Sequence, residues 1–336
     1  MIRAFVCGCL GPVLSAEERA FLKEAQPLGV ILFKRNVENQ EQVRALTSEI
    51  RTALGRGEAM VLVDQEGGRV QRLGPPNWRR HPAAGRYATI ADVDERAAMV
   101  RLGARLIAHE LRAVGIDVDC LPVLDVPVEG AHDVIGSRAY GQDPEDVARL
   151  GRAAAEGLLD GGVLPVMKHV PGHGRAGADS HLALPRVDAP RAVLEGSDFV
   201  PFKLNRDLPA AMTAHVLFTA LDPDRPATVS PTVIGEVVRG AMGFDGLLFS
   251  DDLSMKALPG SFREKAAGLY AAGVDIALHC NGDRTEALEV AAVAPVLSGV
   301  TADRVRRARA ALRVPDPGFD PVDAAAALDR ALAATA

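Results

Sequence analysis

GVILFKRNVENQEQVRALTSEIRTALGRGEAMVLVD, from Gly29 to Asp64, contains an apolar run, a longer segment of helical period and a second apolar run. The runs GVILF and MVLVD are short and rich in Val, Ile and Leu, as buried strands are. Between them, NQEQVRALTSEIRTAL repeats apolar residues at helical spacing and is followed by Gly55, a residue that often ends helices. Strand, helix and strand in this order form the β/α unit of a parallel sheet.

The same alternation runs along most of the chain. Further candidate strands are AFVCGCL (Ala4 to Leu10), DVDCLPVLDV (Asp117 to Val126), LPVMKH (Leu164 to His169), PAAMTAH (Pro209 to His215), GLLFSD (Gly246 to Asp251) and VDIALHC (Val274 to Cys280), which bring the count to eight. Amphipathic segments such as AEERAFLKEA, ERAAMVRLGARLIAHELRAVG, EDVARLGRAAAEGLLDGG, SPTVIGEVVRGAM and FREKAAGLYAAG lie between strands. Eight alternations with no internal repeat or linker predict an α/β fold, a single closed (β/α)8 TIM-type barrel in preference to an open doubly wound sheet. After Gly282, DRTEALEVAAVAPVL and TADRVRRARAALRV read as extra C-terminal helices, followed by PDPGFDP and an Ala-rich tail. Residues 1–336 are thus expected to form one barrel domain, with about 300–336 packed on its outside.

Composition narrows the partners. The chain is 48% hydrophobic and 24% charged with a net charge of -6, and it has no basic run or basic-aromatic interleaving of the kind that binds nucleic acid. No apolar segment reaches the ~20 residues that span a bilayer. The start, MIRAFVCGCLGPVLSAEE, is broken by Gly8, Gly11 and Pro12 and reads as strand and turn instead of a secretion signal, so a cytoplasmic location is expected. The four cysteines, Cys7, Cys9, Cys120 and Cys280, lie in apolar runs and read as buried small hydrophobes. A small substrate, neutral or anionic but caged, fits this profile; nucleic acid and an anionic membrane do not, and no obligate protein partner is expected.

In a barrel, the C-terminal ends of the strands converge on one mouth. Those ends give a polar ring: Asp64, Asp125, Lys168 with His169, His215, Asp251 with Asp252, and His279 with Asn281. One segment beside it, KHVPGHGRAGADSHLALPRVD (Lys168 to Asp188), is dense in histidine and admits three readings. A metal site built on His169, His173, His181 and Asp179 lacks the H-x-H, H-E-x-x-H or C-x-x-C that usually accompanies it. A phosphate loop lacks G-x-x-x-x-G-K-[ST]. Acid/base chemistry is served by Asp179-Ser180-His181, in which a carboxylate can orient one imidazole nitrogen and raise the basicity of the other. Neither a metal nor a cofactor is expected.

Five ordered stretches narrow the choice: DQEGGRVQR (Asp64 to Arg72), GSRAYGQDP (Gly136 to Pro144), KHVPGHG (Lys168 to Gly174), DSH (Asp179 to His181) and FSDDLSM (Phe249 to Met255). Together they resemble glycoside hydrolase family 3, in particular its single-domain bacterial β-N-acetylglucosaminidases. The resemblance covers roughly residues 1–300. It implies a retaining exo-β-N-acetylglucosaminidase of peptidoglycan recycling that releases terminal N-acetylglucosamine from anhydro-muropeptides. It also implies roles: Asp251 as the nucleophile, His181 as general acid/base oriented by Asp179, and Asp64, Arg72, Arg138, Lys168 and His169 as sugar contacts.

Asp252 and Glu66 are read as structural, and His173 and His215 as braces of the loop or pocket. One departure is visible: many relatives have an acidic residue and Thr after PGHG, where this chain has Arg175-Ala176-Gly177-Ala178. Alternatives that share the barrel are a phosphorylase with the same nucleophile, with Arg175 assisting phosphate, and a metal-dependent hydrolase. A sugar-binding barrel without catalysis is the non-enzymatic alternative.

Overall fold

The protein is described by a computed structural model that covers residues 1–177 and 184–333. Eight parallel strands form its centre: β1 (Arg3–Gly8), β2 (Pro27–Leu32), β3 (Met60–Val63), β4 (Val118–Asp119), β5 in two pieces (Leu164–Pro165 and Met167–Val170), β6 (Ala210–Thr213), β7 (Leu247–Asp252) and β8 (Ile276–His279). The first piece of β5 pairs with β4, and the order then runs β4, β3, β2, β1, β8, β7, β6 to the second piece of β5. Because β5 supplies both ends of this order, the sheet closes on itself. The alternation seen in the sequence therefore does form a (β/α)8 barrel.

Successive side chains along a strand point to opposite faces, and the core divides accordingly. Ala4, Val6, Leu62, Leu247, Phe249 and Leu278 belong to an inner cluster that fills the barrel. Phe5, Val61, Val63, Leu248 and Ala277 belong to the outer layer under the helices. Val305 and Ala308 of the helix Gly299–Ala310 join the inner cluster. The cavity described below opens at the other end, where the strands terminate.

The helices begin and end where local chemistry directs. Ala16–Ala25 starts at a capping box of Ser15 and Glu18, and Gln40–Leu54 starts at Asn39 and stops at Gly55 in the left-handed region (φ 64). The C-terminal helix Pro321–Ala333 lies on the helix Val93–Ala113, with Leu328 fully buried. All four cysteines are buried and free.

Two expectations shift. DVDCLPVLDV keeps only Val118–Asp119 as regular strand. Pro122 has no N–H for a ladder, and beyond it the chain meets β5 through a single bridge, Val123 with Lys168. SPTVIGEVVRGAM is helical over Thr232–Ala241, but wound wider than an α-helix. No helix among the described residues is long and apolar enough to cross a membrane.

Candidate active site

The alternation along β3 places Met60 and Leu62 in the inner cluster, and the next residue of that parity is Asp64, at the mouth. The chain then folds into a tight hairpin, Gln65–Gly67 against Val70–Gln71. Gly67 (φ 93) and Gly68 (φ 59) make its turn, and a Cβ at Gly67 would lie 2.3 Å from the Pro82 carbonyl oxygen. Buried Gln65 staples the returning strand, accepting the amides of Arg72 (2.9 Å) and Leu73 (3.1 Å) while its own amide group donates to the Leu73 carbonyl (2.8 Å). The hairpin thereby returns Arg72 to Asp64, with Nη2 2.9 Å from Oδ2.

The other oxygen of Asp64 accepts from Lys168 Nζ at 2.9 Å. The same ammonium lies 2.6 Å from Glu66 Oε1, and Glu66 receives a two-point hydrogen bond from Arg138, both contacts 2.8 Å. Three cations and two carboxylates thus interlock on one wall. Burial alone would raise the carboxyls of Asp64 and Glu66; Lys168, with Arg72 for the former and Arg138 for the latter, outweighs it and holds both below the usual range. Burial would depress Lys168, but Asp64 and Glu66 raise it above its ordinary value.

His169 stands beside this wall. Its Nδ1 is 2.6 Å from Asp125 Oδ2, and the other Asp125 oxygen accepts the amides of His169 (3.2 Å) and His173 (2.6 Å). Despite burial, His169 and these hydrogen bonds lower the Asp125 carboxyl to about 2. An ionised carboxylate only accepts, so Nδ1 of His169 carries the proton and Nε2 is left to meet a ligand. Burial depresses the neighbouring His173 to about 4.

Across the barrel, Leu247 and Phe249 face inward along β7, and Asp251 continues that parity into the mouth. Burial would raise its carboxyl, but His215, His169, the Asp252 amide and Lys168 outweigh this and lower it. Asp252 is engaged with its surroundings: one oxygen accepts the amides of Ser254 (2.9 Å) and Cys280 (3.0 Å). A single cavity is lined by Asp64, Arg72, Arg138, Lys168, His169 and Asp251, with Glu66, Asp252 and His173 also on its wall. Met212, Met255 and Leu278 provide apolar surface. A half-buried, ionised carboxylate thus faces a hydrogen-bonding wall that suits a small, hydroxyl-rich ligand.

Asp179 and His181 lie outside the described residues. The approach to them is anchored: a Cβ at Gly174 would lie 2.0 Å from the Val126 carbonyl oxygen, and Arg175 Nε donates to Asp198 at 2.6 Å with Nη2 3.2 Å from Ser197 Oγ. Arg175 is therefore committed to the stem of the segment. Among the described residues no cluster of His, Cys, Asp and Glu is arranged to hold a metal ion.

The polar ring expected from strand ends was too inclusive. His279 has the parity of Ala277, faces the outer layer, and pairs with Glu286 at 3.0 Å with its ring edge-on to Phe262. Asn281 also bonds Glu286, Asp125 is the hydrogen-bond partner of His169 Nδ1, and His215 is fully buried with its ring bonded to the Asp252 carbonyl oxygen. Glu66, read from sequence as a turn residue, is in the cavity wall, and the only clue was its proximity to Asp64 in DQEGG.

The sequence matches the profile of the glycosyl hydrolase family 3 N terminal domain over residues 6–314. A β-hexosaminidase of Alkalilimnicola ehrlichii is 45% identical over 287 residues, 84% of this chain and 81% of that protein. One from Chromobacterium violaceum is 41% identical over 312 residues, 91% of this chain and 86% of the relative. The crystal structure of NagZ from Neisseria gonorrhoeae in complex with N-trifluoroacetyl-D-glucosamine superposes with a TM-score of 0.84 at 33% identity, covering 99% of this chain and 98% of that one.

Proposed function

The chain belongs to glycosyl hydrolase family 3, and on that premise we propose that it is an exo-acting, retaining β-N-acetylglucosaminidase. The observation that carries this reading is the meeting of Asp251, from β7, with Asp64, Arg72, Arg138, Lys168 and His169 around one cavity. The β-hexosaminidase relatives and the N-acyl glucosamine bound in the NagZ structure support the sugar class.

In this reading an Asp251 oxygen forms a bond to the anomeric carbon as the bond to the leaving oxygen breaks. His181 gives its proton to that oxygen, and Asp179 orients the imidazole. Water then attacks the anomeric carbon, returns its proton to His181 and frees Asp251. An imidazole that titrates near neutral pH serves both halves. Asp64 accepts hydrogen bonds from two hydroxyls of the ring, with Arg72, Arg138, Lys168 and His169 completing the contacts. The roles of Asp179 and His181 rest on the resemblance of KHVPGHG and DSH.

The reading extends to muropeptide fragments as substrates, to cytoplasmic peptidoglycan recycling, and to residues 1–336 acting as one catalytic unit. The engagement of Arg175 with Asp198 and Ser197 does not favour phosphate as the acceptor.

The test is an aryl β-N-acetylglucosaminide turned over in phosphate buffer with a chelator and followed by NMR. Free N-acetylglucosamine appearing first as the β-anomer is expected. N-acetylglucosamine 1-phosphate, the α-anomer first, or turnover abolished by chelation would overturn hydrolysis, retention or metal independence, respectively.

A further inference from the structure

We propose that His215, Thr228 and Thr213 form a buried hydrogen-bond chain that positions Asp251 for attack, an inference that rests on Asp251 being the nucleophile. Thr213 ends β6, His215 follows it, and Thr228 comes from the short turn Ala227–Val229. All three side chains are fully buried. The Asp251 amide donates to Thr213 Oγ1 at 3.3 Å, Thr213 Oγ1 is 2.8 Å from Thr228 Oγ1, Thr228 Oγ1 is 2.8 Å from His215 Nδ1, and His215 Nε2 is 3.1 Å from the Asp252 carbonyl oxygen. The chain leaves β7 at the nucleophile's own N–H and returns one residue later.

Its proton order is determined by elimination. The Asp252 carbonyl only accepts, so Nε2 carries a hydrogen. Burial makes His215 less basic, and a neutral ring then presents a bare Nδ1, to which the Thr228 hydroxyl donates. Thr228 has a single proton, so Thr213 donates to Thr228 and keeps its own oxygen free to accept the Asp251 amide. The longer approach of Thr228 Oγ1 to the Ala214 carbonyl, 3.1 Å, takes a proton only when Nδ1 holds one.

None of the three residues lines the cavity among the described residues. What they hold is the backbone on either side of the attacking carboxylate, whose Oδ1 also accepts the Asp252 amide at 2.8 Å. Attack needs reacting atoms about 3–3.5 Å apart, and an error near 1 Å costs about 10²-fold.

The experiment compares Thr228→Val, which removes the hydroxyl at equal shape, with Thr228→Ser, which restores it. Each protein, checked for native circular dichroism, is measured for kcat and KM, for inhibition by N-acetylglucosamine, and for the rate at which a 2-fluoro mechanism-based glycoside labels Asp251. In Thr228→Val, kcat and the labelling rate should fall by about 10- to 100-fold. N-acetylglucosamine inhibition should stay within about twofold, and Thr228→Ser should recover most of the loss.

Wild-type labelling in folded Thr228→Val, a parallel loss of sugar affinity, or no recovery in Thr228→Ser would overturn the proposal. If Thr228→Val does not fold, Thr213→Val against Thr213→Ser reads the same chain from its other end with the same outcomes. Absence of label on Asp251 in the unsubstituted protein would instead overturn the nucleophile reading, and the inference with it.

Discussion

Replacing Lys168 by methionine keeps most of the stem and removes the ammonium that joins Asp64 (2.9 Å) to Glu66 (2.6 Å), so it should destabilise the fold by about 3 kcal/mol at pH 7. Breaking a buried pair costs about 3–5 kcal/mol. The lower end applies because Asp64 keeps Arg72 and Glu66 keeps both bonds to Arg138. The pH dependence distinguishes this from lost packing.

In the unsubstituted protein Asp64 and Glu66 titrate below their ordinary values, so their contribution is present above about pH 4 and lost as pH falls through the lowered values. The raised Lys168 contributes below its ordinary value and is lost only as pH rises through its folded one. Between pH 5 and 7 these contributions are therefore flat. In Lys168→Met, burial of the two carboxylates is less opposed, their pKa values rise, and protonation relieves the strain on acidification. The stability difference should shrink by about 1 kcal/mol between pH 7 and pH 5. Urea unfolding, read by the fluorescence of the single tryptophan, Trp78, and by far-UV circular dichroism, measures both. A difference below about 1 kcal/mol at pH 7, or one unchanged at pH 5, would show that the ammonium does not hold the two carboxylates ionised.

Other substitutions probe neighbouring parts of the site. Arg138→Lys cannot reproduce the two-point bond to Glu66, and should lower kcat/KM by about tenfold and stability by about 1–2 kcal/mol, measured by initial rates and urea unfolding. Asp125→Asn turns an acceptor that Nδ1 of His169 needs into a possible donor; kcat/KM should fall by about 10- to 100-fold while the melting temperature moves little, provided Oδ1 still takes the two backbone amides. Arg175→Ala leaves Asp198 buried without its cation and should lower stability by about 2 kcal/mol at pH 7, less in acid, as the Asp198 carboxyl is already raised by burial.

The barrel was legible because its strands are short, apolar and separated by amphipathic helices, so spacing alone carried the topology. The interruption of DVDCLPVLDV at Pro122 was less visible, since hydrophobicity continues where ladder hydrogen bonding does not. At the mouth, Asp64, Lys168 and Asp251 share the parity of Met60 and Leu62, of Leu164 and Val166, and of Leu247 and Phe249, so they face inward. His279 has the opposite parity and belongs to the outer layer. Applying this two-residue rule to the strand ends would have removed His279 from the ring. It would not have found His169, which departs from the alternation at the irregular end of β5, where Asp125 holds it. The pairing of Glu66 with Lys168 and Arg138 joins residues distant in sequence, and only the closed barrel brings them together.

The most direct test of the central claim, that Asp251 is the attacking carboxylate, is to trap the glycosyl-enzyme with a 2-fluoro mechanism-based glycoside and map the labelled peptide. One sugar per chain on Asp251 is expected, with Asp251→Ala unlabelled and slowed by at least about 10³-fold while remaining folded. Label on Asp252, Glu66 or Asp64, or turnover retained in Asp251→Ala, would contradict it.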